Sequence, residues 1–334
     1  MENQLKVVQY GLGPIGIEAA KLVLQKKRLK LVGGIDVDPD KIGVNLGDVL
    51  GLDSKLLKIS VSNDPQKVLN ETQPDIVLHS TGSFLAKVEE QLRICLQAGA
   101  SVVSSCEELF YPYRRDSKFC ARIDKVAEEN KTTVVGTGVN PGFSMDVLVL
   151  AMSGVCTKIE KIVATRVVDA SKRRFPLQKK VGAGLTPDEF RNLVRQGKLG
   201  HIGLVESLYA VADKIGFQFD ELKETIDPQI STKTIETDYL TVQQGEVAGI
   251  LHVAKALKNG VELIKLELQI FIGAEKERDS VTIEGEPPIH LNVEGGIFGD
   301  KATIARMINA IPVVSNASPG LTTVVDLPLA TYFK

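Results

Sequence analysis

The chain lacks the features that would set it apart from an ordinary globular protein. It holds no apolar run of about 18 residues, so no segment is built to span a bilayer. Neither sign of charge dominates: 40 basic against 42 acidic side chains leave a net charge of −2. A nucleic-acid partner would call for a strong basic excess or stripe, and none is expected. The runs Lys26-Lys27-Arg28 and Lys172-Arg173-Arg174 are short and read as solvated surface. Cysteine is scarce. Cys95, Cys106, Cys120 and Cys156 form no CxxC pair and no cluster with histidine, which argues against a metal site. The N-terminus runs straight into an apolar strand with no secretory segment, so reduced thiols in the cytoplasm are expected. Internal repeats and low-complexity segments are missing as well.

What is present is a normal supply of core residues, 43% hydrophobic against 25% charged, over 334 residues. That length suits two domains at roughly 100–200 residues each. The first part alternates near-continuous apolar strands with amphipathic helices. Strands are predicted at Leu5–Tyr10, Leu29–Ile35, Asp75–His79, Ser101–Ser105 and Thr132–Gly136, with a weaker one at Leu57–Val61. Helices are predicted over Ile17–Gln25, Gln66–Asn70, Val88–Ala98 and Lys118–Asn130. This pattern predicts an α/β fold, a Rossmann-type doubly wound parallel sheet covered on both faces. After about residue 150 the apolar residues alternate with polar ones, in Ile159–Val168, Lys233–Val242, Ile264–Ile272 and Ser280–Val293. A second, α+β domain with a mainly antiparallel sheet is expected there. Helices Pro187–Gln196, behind a Thr186 N-cap, and Glu206–Ile215 interrupt it. A last helix, Lys301–Ala310, is expected to return to the first domain. The expected division is 1–140 with 300–334 for the dinucleotide-binding domain, and 141–299 for the second.

Gly11-Leu12-Gly13-Pro14-Ile15-Gly16 is the first motif with chemistry in it. A glycine triplet alone says little, but here it lies between a strand and a helix, and an acid closes the next strand. Gly11 allows the tight turn, Gly13 lets the backbone approach a pyrophosphate, and Gly16 lets helix and strand pack closely. The helix N-terminus adds free N–H groups and partial positive charge for the phosphates. Asp36 follows Gly16 by twenty positions. Its carboxylate can accept both ribose hydroxyls of NAD and would repel a 2′-phosphate. NAD is therefore the expected cofactor, with NADP the alternative because Lys41 stands close by. Ser80-Thr81-Gly82 ends the next strand, where small residues would leave room for the nicotinamide ribose; a plain strand-exit turn is the other reading.

Ligands of open parallel sheets bind beyond the carboxyl ends of the strands. Two further strand ends stand out there. One is Glu107-Glu108, after Ser104-Ser105-Cys106, whose carboxylates are the candidates for general acid–base work. The pair could equally be the acidic start of a helix. Of the two, Glu108 is preferred by analogy with sugar-type oxidoreductases, where the second residue of a Glu-Lys-Pro motif faces the substrate. The other is Gly136 to Asp146, in which Asn140 could hydrogen-bond the carboxamide or the substrate. Arg166 and His201 are candidate polar anchors for substrate; Phe143, Met145 and Leu177 are a candidate apolar lining. A lone histidine is more often structural than functional.

Together, Tyr10–Gly16, Ser80–Phe84, Val102–Pro112, Gly136–Asp146, Val181–Phe190, Gly200–Ser207 and Gly299–Asn309 resemble the 2,4-diaminopentanoate dehydrogenase group, which includes the native amine dehydrogenases. That group belongs to the wider dihydrodipicolinate reductase-like proteins. The resemblance implies NAD(P)-dependent oxidative deamination of an amine, or reductive amination of a ketone or aldehyde with ammonia. It also implies a homodimer built through the second domain, and a glutamate at the position of the Glu107-Glu108 pair that does the acid–base work. The His-His, lysine and DAPSGTA motif of true dihydrodipicolinate reductases is missing, and no cysteine has an aldehyde dehydrogenase-type context. Two alternatives stay open: an imine or carbonyl reductase of amino-acid metabolism, and a non-catalytic NAD(H)-binding redox sensor.

Overall fold

The computed structural model describes residues 4–334, which fall into two compact units, 4–143 with 298–334 and 144–297. In the first unit β1 (Leu5–Tyr10) runs into α1 (Pro14–Leu24) and β2 (Leu29–Ile35). The short α2 (Leu46–Val49) and α3 (Pro65–Thr72) lead to β3 (Ile76–His79), α4 (Leu85–Gln97), β4 (Ser101–Ser104), α5 (Ser117–Glu129) and β5 (Thr133–Gly136). Val7, Val8, Ile76, Val77, Leu78, Val102, Val103, Val134 and Val135 have no solvent exposure. That is the cause of their unbroken apolar runs: helices cover both faces of a parallel sheet. The predicted strand at Leu57–Val61 does not form. Its β-type pairing is confined to isolated bridges, Ile35 to Ser62 and Asn45 to Ser60. Its polar Ser60 and Ser62 sit beside β2 at the sheet edge, where one face and one side are wet.

The second unit starts with α6 (Val147–Ser153) and β6 (Lys158–Asp169). It continues through α7 (Phe175–Lys180), α8 (Pro187–Arg195) and α9 (Leu204–Ile215) to β7 (Glu221–Ile230). The two-residue strands β8 (Ile235–Glu236) and β9 (Thr241–Val242) pair with each other. Four long strands finish it: β10 (Val247–Lys258), β11 (Val261–Phe271), β12 (Arg278–Glu286) and β13 (Ile289–Glu294). The sheet order is β13-β12-β6-β11-β10-β7. Every pairing is antiparallel except β6 with β11. α6 and α9 cover one face through Val149, Leu204, Leu208 and Val211, packed on Ala254, Ile264, Leu266 and Ile283. The Thr186 cap is present in full: its hydroxyl accepts the Glu189 N–H, and Glu189 reaches back to the Thr186 N–H at 2.9 Å.

The chain then returns to the first unit. α10 (Gly299–Val314) packs on α1, and β14 (Gly320–Leu321) pairs in parallel with β5. The completed order, β14-β5-β4-β3-β1-β2, is parallel throughout. Its direction of winding reverses between β1 and β3, the crevice where open α/β sheets take their ligands. Among the described residues no helix is long and apolar enough to cross a membrane.

Candidate active site

The glycine loop at that crevice separates two kinds of constraint. Gly11 has φ +90°, and a Cβ there would stand 2.5 Å from the Ser80 carbonyl oxygen. A Cβ on Gly16 would stand 1.8 Å from the Gly11 carbonyl oxygen. Both positions are glycine because the protein's own backbone leaves no space. At Gly13 the built Cβ meets nothing within 4 Å. Internal packing therefore does not explain that glycine, and the backbone there is open to close approach by an anion. α1 begins at Pro14 with no side-chain cap on its N-terminus. Its first internal bond is donated by Ile17 to Gly13, 2.9 Å, so the amides of Ile15 and Gly16 lie ahead of the ladder, where an anion is favoured. Leu12 is buried, its N–H held by Asp36 Oδ2 at 2.6 Å.

Asp36 follows β2 directly and is 9% exposed. Besides the Leu12 bond, its Oδ1 accepts the Asp38 N–H at 2.8 Å. It is therefore fixed to the glycine loop. On the far side of β1, Ser80 donates its N–H to Tyr10 and its hydroxyl to the Gly11 carbonyl, and accepts from Gln9 Nε2 at 2.9 Å. The Thr81 hydroxyl donates to Gln91 Oε1 and lies 2.9 Å from His79 Nε2. Gly82 has only ordinary contact with Val88. His79 lies wholly inside, between the Ser104 hydroxyl and Gln91. Burial pushes its pKa down to about 4, so the imidazole is neutral.

Beyond β4 the chain turns through one 3₁₀ turn, Glu107–Phe110, laid so closely on β5 that a Cβ at Gly136 would meet the Leu109 backbone at 2.5 Å. The two glutamates differ sharply. Glu108 is buried; its Oε2 accepts the Leu85 N–H at 2.8 Å, and its Oε1 lies 3.1 Å from Arg115 Nη1. It closes the N-terminus of α4, whose N-cap residue Phe84 has no capping side chain. Glu107 is half-buried at the start of the turn. The neighbouring Cys106 thiol is pushed up to about 12, first by burial, and is no nucleophile at neutral pH.

Past β5, Asn140 is half-buried ahead of a cis peptide to Pro141. Gly142 has φ +123°, and a Cβ there would meet the Gly138 nitrogen at 2.3 Å. Phe143 closes the segment, with the Arg306 guanidinium from α10 5.2 Å from its ring centroid. The first unit thus brings Gly11–Gly16, Asp36, Ser80–Gly82, Glu107, Glu108, Asn140 and Phe143 to the carboxyl ends of one sheet. Arg166 and His201 belong to the second unit. Arg166, expected as a substrate anchor, is instead 3% exposed and occupied within that unit. It binds Asp279 Oδ1 at 2.5 Å, the Ser144 hydroxyl at 3.0 Å and the Ile297 carbonyl at 2.6 Å. A buried guanidinium keeps such partners because desolvation forbids leaving its donors unmet. Met145, expected in a pocket wall, is packed in the core of the second unit. His201 is half-buried between Gly200 and Gly203, both at positive φ. Gln9, His79 and Arg115 escaped the sequence reading. Gln9 was visible as a polar residue in an apolar strand, but Arg115 carries no signal that distinguishes it from Arg114.

Three comparisons bear on this arrangement. The 2,4-diaminopentanoate dehydrogenase C-terminal domain matches residues 143–333. The 2,4-diaminopentanoate dehydrogenase of Acetoanaerobium sticklandii is 30% identical over 98% of this chain and 94% of its own. The chain belongs to the 2,4-diaminopentanoate dehydrogenase family. An amine dehydrogenase of Streptomyces virginiae is 25% identical over 97% of this chain and 96% of its own. The structure of amine dehydrogenase from Mycobacterium smegmatis superposes with a TM-score of 0.86 at 28% identity, covering 98% of this chain and 97% of that one. A more distant structure, that of a probable dehydrogenase from Thermotoga maritima, shares the fold at 14% identity with a TM-score of 0.60 over 96% and 91% of the two chains. As a member of this family the protein is an oxidoreductase acting on amines.

Proposed function

We propose that this member of the family is an NAD-dependent amine dehydrogenase. It would convert a primary amine, water and NAD into a ketone or aldehyde, ammonia and NADH, and run the reverse reaction as reductive amination. The observation that carries the reading is the pairing of an open dinucleotide cradle at Gly13 with a half-buried carboxylate, Glu107, at the end of a cofactor-facing strand. Bound nicotinamide supplies hydride acceptance at its C4. Asp36 would hold the adenosine ribose hydroxyls and disfavour a 2′-phosphate, and the Ile15 and Gly16 amides would hold the diphosphate.

An amine is protonated at neutral pH and cannot release hydride until a base removes that proton. Glu107 is assigned that work. Glu108 is the weaker choice, because it is buried as the cap of α4, bound to the Leu85 N–H. After hydride departure the substrate carbon carries an iminium, and the same carboxylate, relieved of its proton to solvent, activates the water that adds to it. Elimination of ammonia leaves the carbonyl. Asn140 and Phe143 are proposed to contact substrate or carboxamide. 2,4-Diaminopentanoate heads the amines to test, since the A. sticklandii relative is named for it. A homodimer and a cytoplasmic location belong to the same reading.

The test is NADH consumption over a series of ketones and aldehydes, with and without ammonium. Turnover that requires ammonium is expected. Consumption independent of ammonium would replace the reading with a carbonyl reductase. Tight NADH binding with no turnover on any carbonyl or amine would favour a redox-sensing role.

A further inference from the structure

The loop after β2 reads Asp36-Val37-Asp38-Pro39-Asp40-Lys41 and carries an arrangement that the cofactor reading leaves unused. Lys41 Nζ lies 3.8 Å from Asp36 Oδ2, the carboxylate assigned to the ribose hydroxyls. An ammonium at that distance stands where the 2′-phosphate of NADP would arrive, and it would be a natural partner for that phosphate. It is held elsewhere. Asp38 Oδ2 binds Lys41 Nζ at 2.9 Å, while Asp38 Oδ1 accepts the Asp40 N–H at 3.1 Å and so fixes the side chain in the turn. The Lys41 side chain is 24% exposed and that of Asp38 40%, so the pair lies at the crevice rim within reach of an arriving ligand.

We propose that Asp38 is a second specificity residue for NAD over NADP, acting by occupying Lys41. The inference rests on the reading of Asp36 as the ribose-binding acid and extends it. Asp36 disfavours the 2′-phosphate by direct repulsion, and Asp38 withholds a nearby cation that could offset that repulsion. The charges of the pair support this. The Lys41 contact holds the Asp38 carboxyl below the usual carboxylate range and raises the Lys41 ammonium above its ordinary value, so both are ionised at neutral pH. Lys41 is thus a latent phosphate ligand, and one carboxylate decides whether it is available.

Asp38→Asn tests this while preserving the turn, because the amide oxygen still accepts the Asp40 N–H. Dissociation constants for NADH and NADPH are measured by quenching or enhancement of nicotinamide fluorescence, with no substrate present. The ratio of the NADPH constant to the NADH constant is expected to fall by about three- to tenfold, the scale of one charge-assisted contact at a wet rim. Adding Lys41→Gln to Asp38→Asn should abolish the gain, and raising ionic strength should shrink it. An unchanged ratio in Asp38→Asn overturns the proposal. So does a gain that survives intact in the double variant, since removal of negative charge would then act without Lys41. The parent reading has its own readout: near-equal constants for NADH and NADPH in the unaltered protein would sink the role of Asp36, whichever way the Asp38 comparison falls.

Discussion

Two adjacent glutamates on one turn are proposed to have separable jobs, and substitution should divide them. Glu107→Gln keeps shape and removes the proton acceptor, so turnover should fall by about two or more orders of magnitude. Its NADH affinity should stay near that of the parent. Glu108→Gln loses the charge that closes α4 and meets Arg115. A stability loss of about 1–3 kcal/mol is expected, read by denaturant unfolding, since a buried cap bond to a charged group is weakened. The reverse result, a stable but inactive Glu108→Gln and an active Glu107→Gln, would return the base to Glu108. Sequence reached this pair but leaned the other way. Side-chain period along a strand does not carry into a 3₁₀ turn, and the cap on Leu85 joins residues 23 positions apart.

At the scale of elements, the glycine loop offers a comparison within a single turn. Gly16→Ala forces a Cβ against the Gly11 carbonyl oxygen and should cost about 3 kcal/mol or more, or prevent folding. Gly13→Ala meets nothing in the protein and should melt as the parent does. The added methyl fills the space assigned to the diphosphate, so NADH should bind about tenfold or more weakly. Calorimetry and a fluorescence titration on the two variants check both halves; a Gly13→Ala protein with parental NADH affinity would remove the cradle from the diphosphate. The parallel strands β1 to β5 and helices α4, α5 and α8 were legible because burial on both faces, or a capping box, leaves a local signature. Strands β7 and β10 were not. β10 is buried at nine of twelve positions, including fully buried His252, so its pattern has no clean alternation. β7 carries Pro228, which a sheet tolerates there only because β7 is an edge. The two halves of Ser280–Val293 are separate strands, parted at Pro287.

For the whole molecule, the neutral His79 sets an acid limit on stability. An unfolded histidine takes up its proton as pH falls through about 6.5, whereas the folded imidazole stays neutral until about 4. Between those values the unfolded state binds more protons, so stability is full above the upper value and falls steadily toward the lower one. The shift corresponds to about 3 kcal/mol across the window. Urea unfolding at a series of pH values should show this slope, and His79→Asn should flatten it. An unchanged slope in the variant would place the acid sensitivity in other groups.

The guanidinium of Arg166 touches both Ser144 and Ile297, the first and last residues of the second unit, and Asp279 Oδ2 also takes the Ile297 N–H at 2.7 Å. The unit therefore leaves and rejoins the polypeptide at one knot, with its own sheet and two apolar clusters between. A segment with joined ends is a cassette: it can be lifted out as a free protein, and in principle set into another host loop, without stretching either end. Residues 144–297 expressed alone should unfold in one cooperative transition, and Arg166→Met should lower its stability by about 3 kcal/mol or more, because Asp279 would stay buried without its cation. A fragment with no cooperative transition would show that the knot holds the two ends without making the cassette self-sufficient.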